Sequence, residues 1–338
     1  MKKRQSNLEL LRIISMFLIL LHHFSLHSGF TYEPGFSFFK FSSQFVGLFG
    51  KTGVDLFILI SAYFLVDSTF KKKNILNIWK TTLFYSISLT IIFIVIFKVN
   101  YQKSILLKSL MPVSTSLYWF ITAYLLLYAS IPALNLVIHT IDKELYEKVL
   151  FTMLIVLSIV STFLRTEIIT NELLWFIFIY FIGGFLKLHI KTVNKKKVQV
   201  YTVLLILISM LALAISEFLT KYIPSFSGKE LALLFNTQGF LPLFTAISMF
   251  LLFKEINIKH NLAINKIAST TFAVYLIHEH PLVRKLLWSS FTSYFNLNSP
   301  LKLAILGTSF CVVVFLTCTL IEISRQYVFS KIKNKLRY

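Results

Sequence analysis

Ten apolar segments run through the chain, and each is about as long as a membrane-spanning helix. Such a helix needs roughly 20 mostly apolar residues to cross the hydrocarbon core of a bilayer. The predicted spans are residues 8–27, 46–67, 81–99, 118–138, 149–165, 173–190, 198–219, 231–253, 265–283 and 301–322. The 338-residue chain is 56% hydrophobic and only 14% charged, whereas soluble domains carry about a quarter charged residues. We therefore predict an all-α polytopic membrane protein of about ten transmembrane helices, with residues 1–338 as a single transmembrane domain.

The basic residues predict how these spans are oriented. If the N-terminus lies in the cytoplasm, the predicted cytoplasmic segments hold 22 Lys and Arg residues and the opposite segments hold 11. Cytoplasmic loops of membrane proteins carry such an excess, so both termini are expected in the cytoplasm. The net charge of +20 is spread over short clusters between the apolar segments. That distribution is typical of loops that face an anionic lipid surface, and it argues against nucleic acid as a partner.

The first span contains the densest group of ionisable residues, namely Glu9, Arg12, His22 and His23. Charged groups at membrane depth are costly, and are therefore functional candidates. Arg12 and His23 are eleven residues apart, which is about three helical turns plus 20° and a rise of about 16 Å, so they share one face. Glu9 precedes Arg12 by three residues and can pair with it. The structural alternative is that Arg12 reaches the lipid headgroups and His23 is a packing histidine.

Asp55 in span two and His278 in span nine are expected at a depth similar to that of His23. A carboxylate beside an imidazole fixes its tautomer and stabilises the protonated ring, which makes Asp55 and His278 candidate catalytic residues with His23. Asp55 as a helix cap is the alternative interpretation. The residues next to His278, among them Glu279, are expected at the same depth. A metal site is a further alternative. The sequence has no typical metal-binding spacing, so no metal is expected.

Other polar and aromatic residues are candidates for ligand binding. Trp119 opens span four in the position of an interfacial aromatic, and Arg284 follows span nine. Lys72 and Lys73 lie in a predicted cytoplasmic loop. They hold the loop in the cytoplasm on one interpretation, and bind the phosphates of a cytosolic donor on the other.

Four stretches, in order along nearly the whole chain, resemble the acyltransferase-3 family of membrane-bound acyltransferases. Residues 7–16, with Arg12 and then His23 after ten intervening residues, resemble the start of that family. The other similar stretches are Gly53-Val54-Asp55-Leu56-Phe57 with Ser61 and Tyr63, Tyr118-Trp119-Phe120 with Tyr128 and Pro132, and residues 273–278 with 281–284. Ala62 stands where the family usually has Gly.

This resemblance implies an O-acyltransferase of the cell membrane that takes an acyl group, usually acetyl, from cytosolic acyl-CoA. The acceptor that it implies is a hydroxyl of an envelope glycan or lipid-linked glycan, with envelope-polymer biosynthesis proteins as possible partners. By family analogy Arg12 and His23 are the essential pair. Arg12, with Glu9, Lys72 and Lys73, is then expected to bind the donor. His23 either deprotonates the acceptor hydroxyl or carries the acyl group, and Trp119, Glu279 and Arg284 are expected to contact the acceptor.

Two other classes of membrane protein use similar features. A transporter or flippase for a glycan or glycolipid also lines its pathway with charges inside the membrane, although paired helices broken by Pro or Gly are missing here. A polysaccharide polymerase typically has a large outer loop, and no predicted loop here exceeds about 25 residues.

Overall fold

The computed structural model describes residues 4–98, 103–164, 171–227, 230, 238–294 and 299–335, and within them the regular structure is entirely helical. The first helices are α1 (Ser6–His27), α2 (Phe38–Gly47), α3 (Gly50–Leu65), α4 (Lys72–Val95), α5 (Lys103–Leu110), α6 (Trp119–Thr140), α7 (Lys143–Leu154) and α8 (Ser161–Leu164). The later ones are α9 (Glu172–Leu188), α10 (Lys195–Leu219), α11 (Phe240–Lys254), α12 (Leu262–Ala268), α13 (Thr271–His278), α14 (Pro281–Tyr294) and α15 (Pro300–Lys335). A π-helical turn, Ile155–Val160, joins α7 to α8, and Pro224–Phe226 forms a short 3₁₀ turn.

Six helical stretches in the described part of the chain are long and apolar enough to cross a membrane. They are Ser6–His27, Phe38–Leu65, Lys72–Val95, Trp119–Thr140, Lys195–Leu219 and Pro300–Lys335. Each falls on one of the ten predicted segments, and the all-helical prediction is confirmed. The segment 173–190 matches α9, which has 17 residues, and the first residues of 231–253 lie outside the described part. Ten spans and two cytoplasmic termini therefore stay predictions.

The segment 265–283 is not the single helix that its hydropathy predicts. Helix α12 ends at Ala268, α13 runs from Thr271 to His278, and α14 begins at Pro281. Proline has no backbone N–H and disfavours helical geometry in the residue before it, so the helix stops just ahead of Pro281. Hydropathy averaged over the length of a span does not reveal this break, because the residues on both sides of it are apolar. The turn between α13 and α14 holds Glu279 and His280 and carries them into the interior.

Large apolar side chains cover the outside of the molecule. On α10 they include Leu204, Leu207 and Leu211, and on α15 Val313 and Leu320, all of them about half exposed or more. Contiguous apolar surface of this extent is not stable in water and is typical of a surface that faces lipid. The peripheral positions of α10 and α15 agree with a membrane protein.

Helices α1, α3 and α9 form the centre of the core, with α3 between the other two. Ser15 of α1 donates a hydrogen bond from Oγ to the carbonyl oxygen of Gly53 in α3, at 2.6 Å. A Cβ atom on Gly53 would lie 2.6 Å from the carbonyl oxygen of Ser15, which is far inside van der Waals contact. Glycine at this position therefore allows the two backbones to touch.

Helices α3 and α9 also pack closely, and here the glycine that allows the contact, Gly183, is on α9. A Cβ atom on Gly183 would lie 2.5 Å from the Cβ atom of Ala62. Ala62, which departs from the family pattern, thus packs directly against the backbone of α9 because Gly183 has no side chain.

Candidate active site

His23 and His278 meet at the centre of the site although they are 255 residues apart. Nδ1 of His23 lies 2.9 Å from Nε2 of His278. His278 is fully buried, and the side chain of His23 is 11% exposed. The contact joins the last quarter of α1 to the end of α13, so two of the predicted catalytic residues come together.

The hydrogen-bond partners fix the tautomers of both rings. Nδ1 of His278 lies 2.6 Å from the carbonyl oxygen of Val274, and a carbonyl only accepts hydrogen bonds. His278 therefore donates through Nδ1, and Nε2 of the neutral ring is an acceptor. His23 must then carry a hydrogen on Nδ1. It follows that Nε2 of neutral His23 holds the free lone pair, which is the atom a general base or a nucleophile would use.

Glu279 supplies the carboxylate beside His23. Its Oε2 lies 3.1 Å from Nδ1 of His23, while its Oε1 accepts a 2.6 Å hydrogen bond from Nη1 of Arg284. The carboxylate side chain is 8% exposed, so its charge is only weakly screened by water. A proton taken up at Nε2 of His23 would create a positive ring next to this charge, and Glu279 would stabilise that state.

A cavity of about 210 Å³ opens beside His23, and we call it the His23 cavity. Four residues predicted from the sequence line it: His23, Trp119, Glu279 and Arg284. The structure adds residues that were not predicted as site residues, namely Lys51, His27, Phe120 and Tyr275. Lys51 falls in the predicted span 46–67 and is not among the predicted site residues. The signal that could have identified it is its spacing from Asp55, which is one helical turn.

Asp55 is not the carboxylate partner of His23, which corrects the prediction. Its Oδ1 accepts a 2.9 Å hydrogen bond from Nε1 of Trp175 on α9. The cap interpretation also fails, because α3 begins at Gly50 and Asp55 lies more than a turn inside it. Along α3, Gly50 is the residue that lies against His22, whereas Gly53 lies against Ser15 and Ile19. Asp55 is thus further along the helix from His23 than predicted, and its carboxylate is directed towards α9.

Arg12 lines a second cavity, of about 650 Å³, which we call the Arg12 cavity. Nη1 of Arg12 donates a 2.9 Å hydrogen bond to Oε2 of Glu9, as the spacing predicts. Arg12 is therefore directed into the protein interior and not towards the lipid headgroups. Other polar residues that line this cavity are Arg4, Ser61, Asn74, Asn77, Thr81, Tyr124, Tyr128, Ser269, Glu322, Arg325 and Gln326.

The basic residues of the Arg12 cavity differ from those predicted. Lys72 and Lys73 are exposed at the start of α4 and are not among the residues that line it. Arg4 and Arg325 line the cavity instead. From the sequence, both counted only among the basic residues that predict the orientation of the spans. Arg325 binds Glu322 through two hydrogen bonds of 2.7 Å each, which holds its guanidinium at the cavity wall.

The two cavities are separated by about one helical turn. On α1, Arg12 lines one cavity and Met16 lines the other; on α6, Tyr124 and Phe120 do the same. Four residues of a helix span about 6 Å. The stacked rings of Phe120 and Tyr124, with centroids 6.0 Å apart, lie between the two spaces.

Three side chains of the site also have a spacing that a metal ion could use. His23, His278 and Glu279 each offer one ligand atom, and these atoms lie within 4.8 Å of one another. The 2.9 Å contact between the two imidazoles is an ordinary hydrogen-bond length. The expectation of a metal-free site stays a prediction.

Comparison with known families identifies the chain. Residues 5–322 match the model of an acyltransferase domain. No curated protein and no solved structure matches the chain. The match covers nearly all of the 338 residues, so the chain belongs to this acyltransferase family. It gives no support to the transporter or flippase alternative.

Proposed function

We propose that this member of the acyltransferase family moves an acetyl group from cytosolic acetyl-CoA to a hydroxyl of an envelope glycan. One observation carries the proposal: a single helix, α1, presents Arg12 to one cavity and His23, with its free Nε2, to the next. A donor with an anionic end and a reactive carbonyl requires two such sites in line.

The Arg12 cavity is the proposed donor site. Arg4, Arg12 and Arg325 all line it, and a guanidinium forms the planar, two-pronged contacts that suit phosphate groups. Glu9 and Glu322 neutralise part of this charge, so three guanidinium groups face two carboxylates. The remaining positive charge suits the phosphates of coenzyme A, and because that donor is cytosolic the proposal assigns this cavity to the cytoplasmic side.

His23 is the proposed general base. Its Nε2 takes the proton of the acceptor hydroxyl while the hydroxyl oxygen attacks the carbonyl carbon of the thioester. The C–S bond then breaks, and the thiolate of coenzyme A leaves and receives that proton from His23. An imidazole suits this exchange because one ring nitrogen can take up a proton and return it within a single turnover. The hydrogen bond of His278 and the charge of Glu279 both act on Nδ1, and so hold the ring in the required tautomer.

The His23 cavity is the proposed acceptor site. Its volume of about 210 Å³ has room for a sugar ring but not for a folded oligosaccharide. The aromatic ring of Trp119 offers an apolar face to such a ring, and Arg284 offers hydrogen-bond donors. The protein is then a multi-pass enzyme of the cytoplasmic membrane that modifies a glycan or lipid-linked glycan on the opposite side.

The test is transfer of radiolabelled acetyl from acetyl-CoA by the full chain in lipid nanodiscs, with glycan from the envelope of the same cells as acceptor. We expect His23→Ala to lose about 10²- to 10⁴-fold in rate, the usual contribution of a general base. His260→Ala is the matched control, because His260 is exposed and distant from the site. A well-folded His23→Ala protein with normal transfer would show that His23 is not the base.

A covalent path is tested in the same preparation. If acetyl passes directly to the acceptor, incubation with labelled acetyl-CoA alone leaves the protein unlabelled. Label that stays on wild-type protein and is missing from His23→Ala would assign an acyl-histidine.

A further inference from the structure

Lys51 is a basic residue of the His23 cavity, and within the described part of the chain no carboxylate forms an ion pair with it. It lies in the first turn of α3 and lines the cavity beside His23. Its Nζ atom lies 5.7 Å from the centre of the Trp119 ring, a cation–π contact that holds the ammonium group in place. Among the described residues, none forms a hydrogen bond or an ion pair with this ammonium group.

The carboxylates around Lys51 are engaged elsewhere or lie at the surface. Glu279 is bound by Arg284 and lies against His23. Asp55, one turn along α3 from Lys51, accepts a hydrogen bond from Trp175 through Oδ1, and its Oδ2 has no hydrogen-bond partner among the described residues. Glu172, at the start of α9, is exposed to solvent. These carboxylates interact with Lys51 electrostatically, without a hydrogen bond or an ion pair.

The charges that line the His23 cavity therefore do not balance. Lys51 and Arg284 are positive, and Glu279 alone is negative. A cation that is removed from water without a partner is costly, and the cost falls when a ligand brings an anion to it. Within its lining, the ammonium group of Lys51 is the cation that a ligand's anion could reach close to His23.

We infer that the acceptor is an acidic sugar, whose carboxylate or phosphate group binds Lys51 while a hydroxyl of the same sugar ring meets Nε2 of His23. This inference rests on the proposed function, which it extends by naming the class of acceptor. The anion and the reacting hydroxyl share one ring because the cavity is small. Lys51 is then a specificity residue for the acceptor and takes no part in activating the thioester.

The first experiment locates the acetyl groups in cells. The gene is deleted, and the O-acetyl groups that disappear from envelope glycans are mapped by mass spectrometry. We expect them on a sugar that carries a carboxylate or a phosphate. O-acetyl groups lost only from neutral sugars would overturn the inference and leave the proposed function standing. No loss of O-acetyl groups from any glycan would instead contradict the proposed function.

The second experiment measures acceptor preference with the full chain in nanodiscs. The acceptors are methyl glucoside, methyl glucuronide and methyl glucoside 6-phosphate, and the comparison of the last two identifies which anion is preferred. Removing a hydrogen bond to a charged group weakens binding by a factor of about ten or more. We therefore expect Lys51→Met to lower kcat/KM at least about tenfold for an acidic acceptor and to leave the neutral acceptor nearly unchanged, with Lys51→Arg recovering most of the loss.

Lys285→Met is the matched control, because Lys285 is exposed next to Arg284 and does not line the cavity. An equal loss for acidic and neutral acceptors, accompanied by an equal loss of acetyl-CoA hydrolysis, would overturn the inference and assign Lys51 to the oxyanion of the transition state. Unchanged preference in Lys51→Met would also overturn it.

Discussion

The carboxylate of Glu279 gives the site its most quantitative prediction. Replacing it in Glu279→Gln keeps the shape of the side chain and removes its negative charge. The charge matters when His23 becomes an imidazolium during transfer, because Oε2 of Glu279 is 3.1 Å from Nδ1 of that ring. The variant therefore tests the transition state more than the resting enzyme.

The size of the effect follows from this distance. Two unit charges 3.1 Å apart interact by roughly 5 kcal/mol at an effective dielectric constant of about 20. Arg284 keeps its charge in both proteins, so its repulsion of the imidazolium does not change the difference between them. A loss of roughly 5 kcal/mol corresponds to a fall of about 10³- to 10⁴-fold in kcat. The KM for acetyl-CoA should be unchanged, since Glu279 does not line the Arg12 cavity.

The assay is steady-state acetyl transfer in nanodiscs, with thermal unfolding of each purified variant as the check on folding. Glu33→Gln is the control, because Glu33 is an exposed carboxylate outside the cavity. Wild-type kcat in a folded Glu279→Gln protein would refute the electrostatic role. A raised KM for acetyl-CoA with normal kcat would move Glu279 to the donor side.

Three further perturbations test separate parts of the site. Arg12→Ala should raise the KM for acetyl-CoA about tenfold or more while the KM for the acceptor changes little; equal changes in both would make Arg12 a structural residue. Asp55→Ala should lower the free energy of unfolding by about 1–3 kcal/mol, because the buried N–H of Trp175 loses its acceptor, and Asp55→Asn should stay active; inactive but stable Asp55→Asn protein would restore a catalytic role. Treatment with EDTA should leave activity unchanged, since the imidazoles of His23 and His278 already bind each other; activity that is lost and then restored by Zn²⁺ would identify a metal site.

The parts of the site that could be predicted are those that depend on one continuous helix. The spacing of Arg12 and His23 fixes their relative direction and separation, because helical geometry is local. The Glu9 contact follows from the same rule. These features needed no knowledge of how helices pack.

Contacts between helices depended on rotations that the sequence does not specify. The sequence predicts a similar depth for His23 and Asp55, and from that depth alone Asp55 is expected to contact the imidazole. The packing of α3 on α9 instead brings Asp55 to Trp175. The turn that places Glu279 had a sequence signal in Pro281, which hydropathy averaging concealed.

The direct backbone contact between Ser15 and Gly53 has a consequence for how substrates enter. Two helices joined in this way cannot slide or part without losing a buried hydrogen bond and the packing around it. The wall that carries Arg12, His23 and Lys51 should accordingly behave as one stationary block during turnover. If the proposed acceptor enters the His23 cavity, the movement that admits it then has to come from the rest of the lining, on α6, on α13 and in the turn that follows α13.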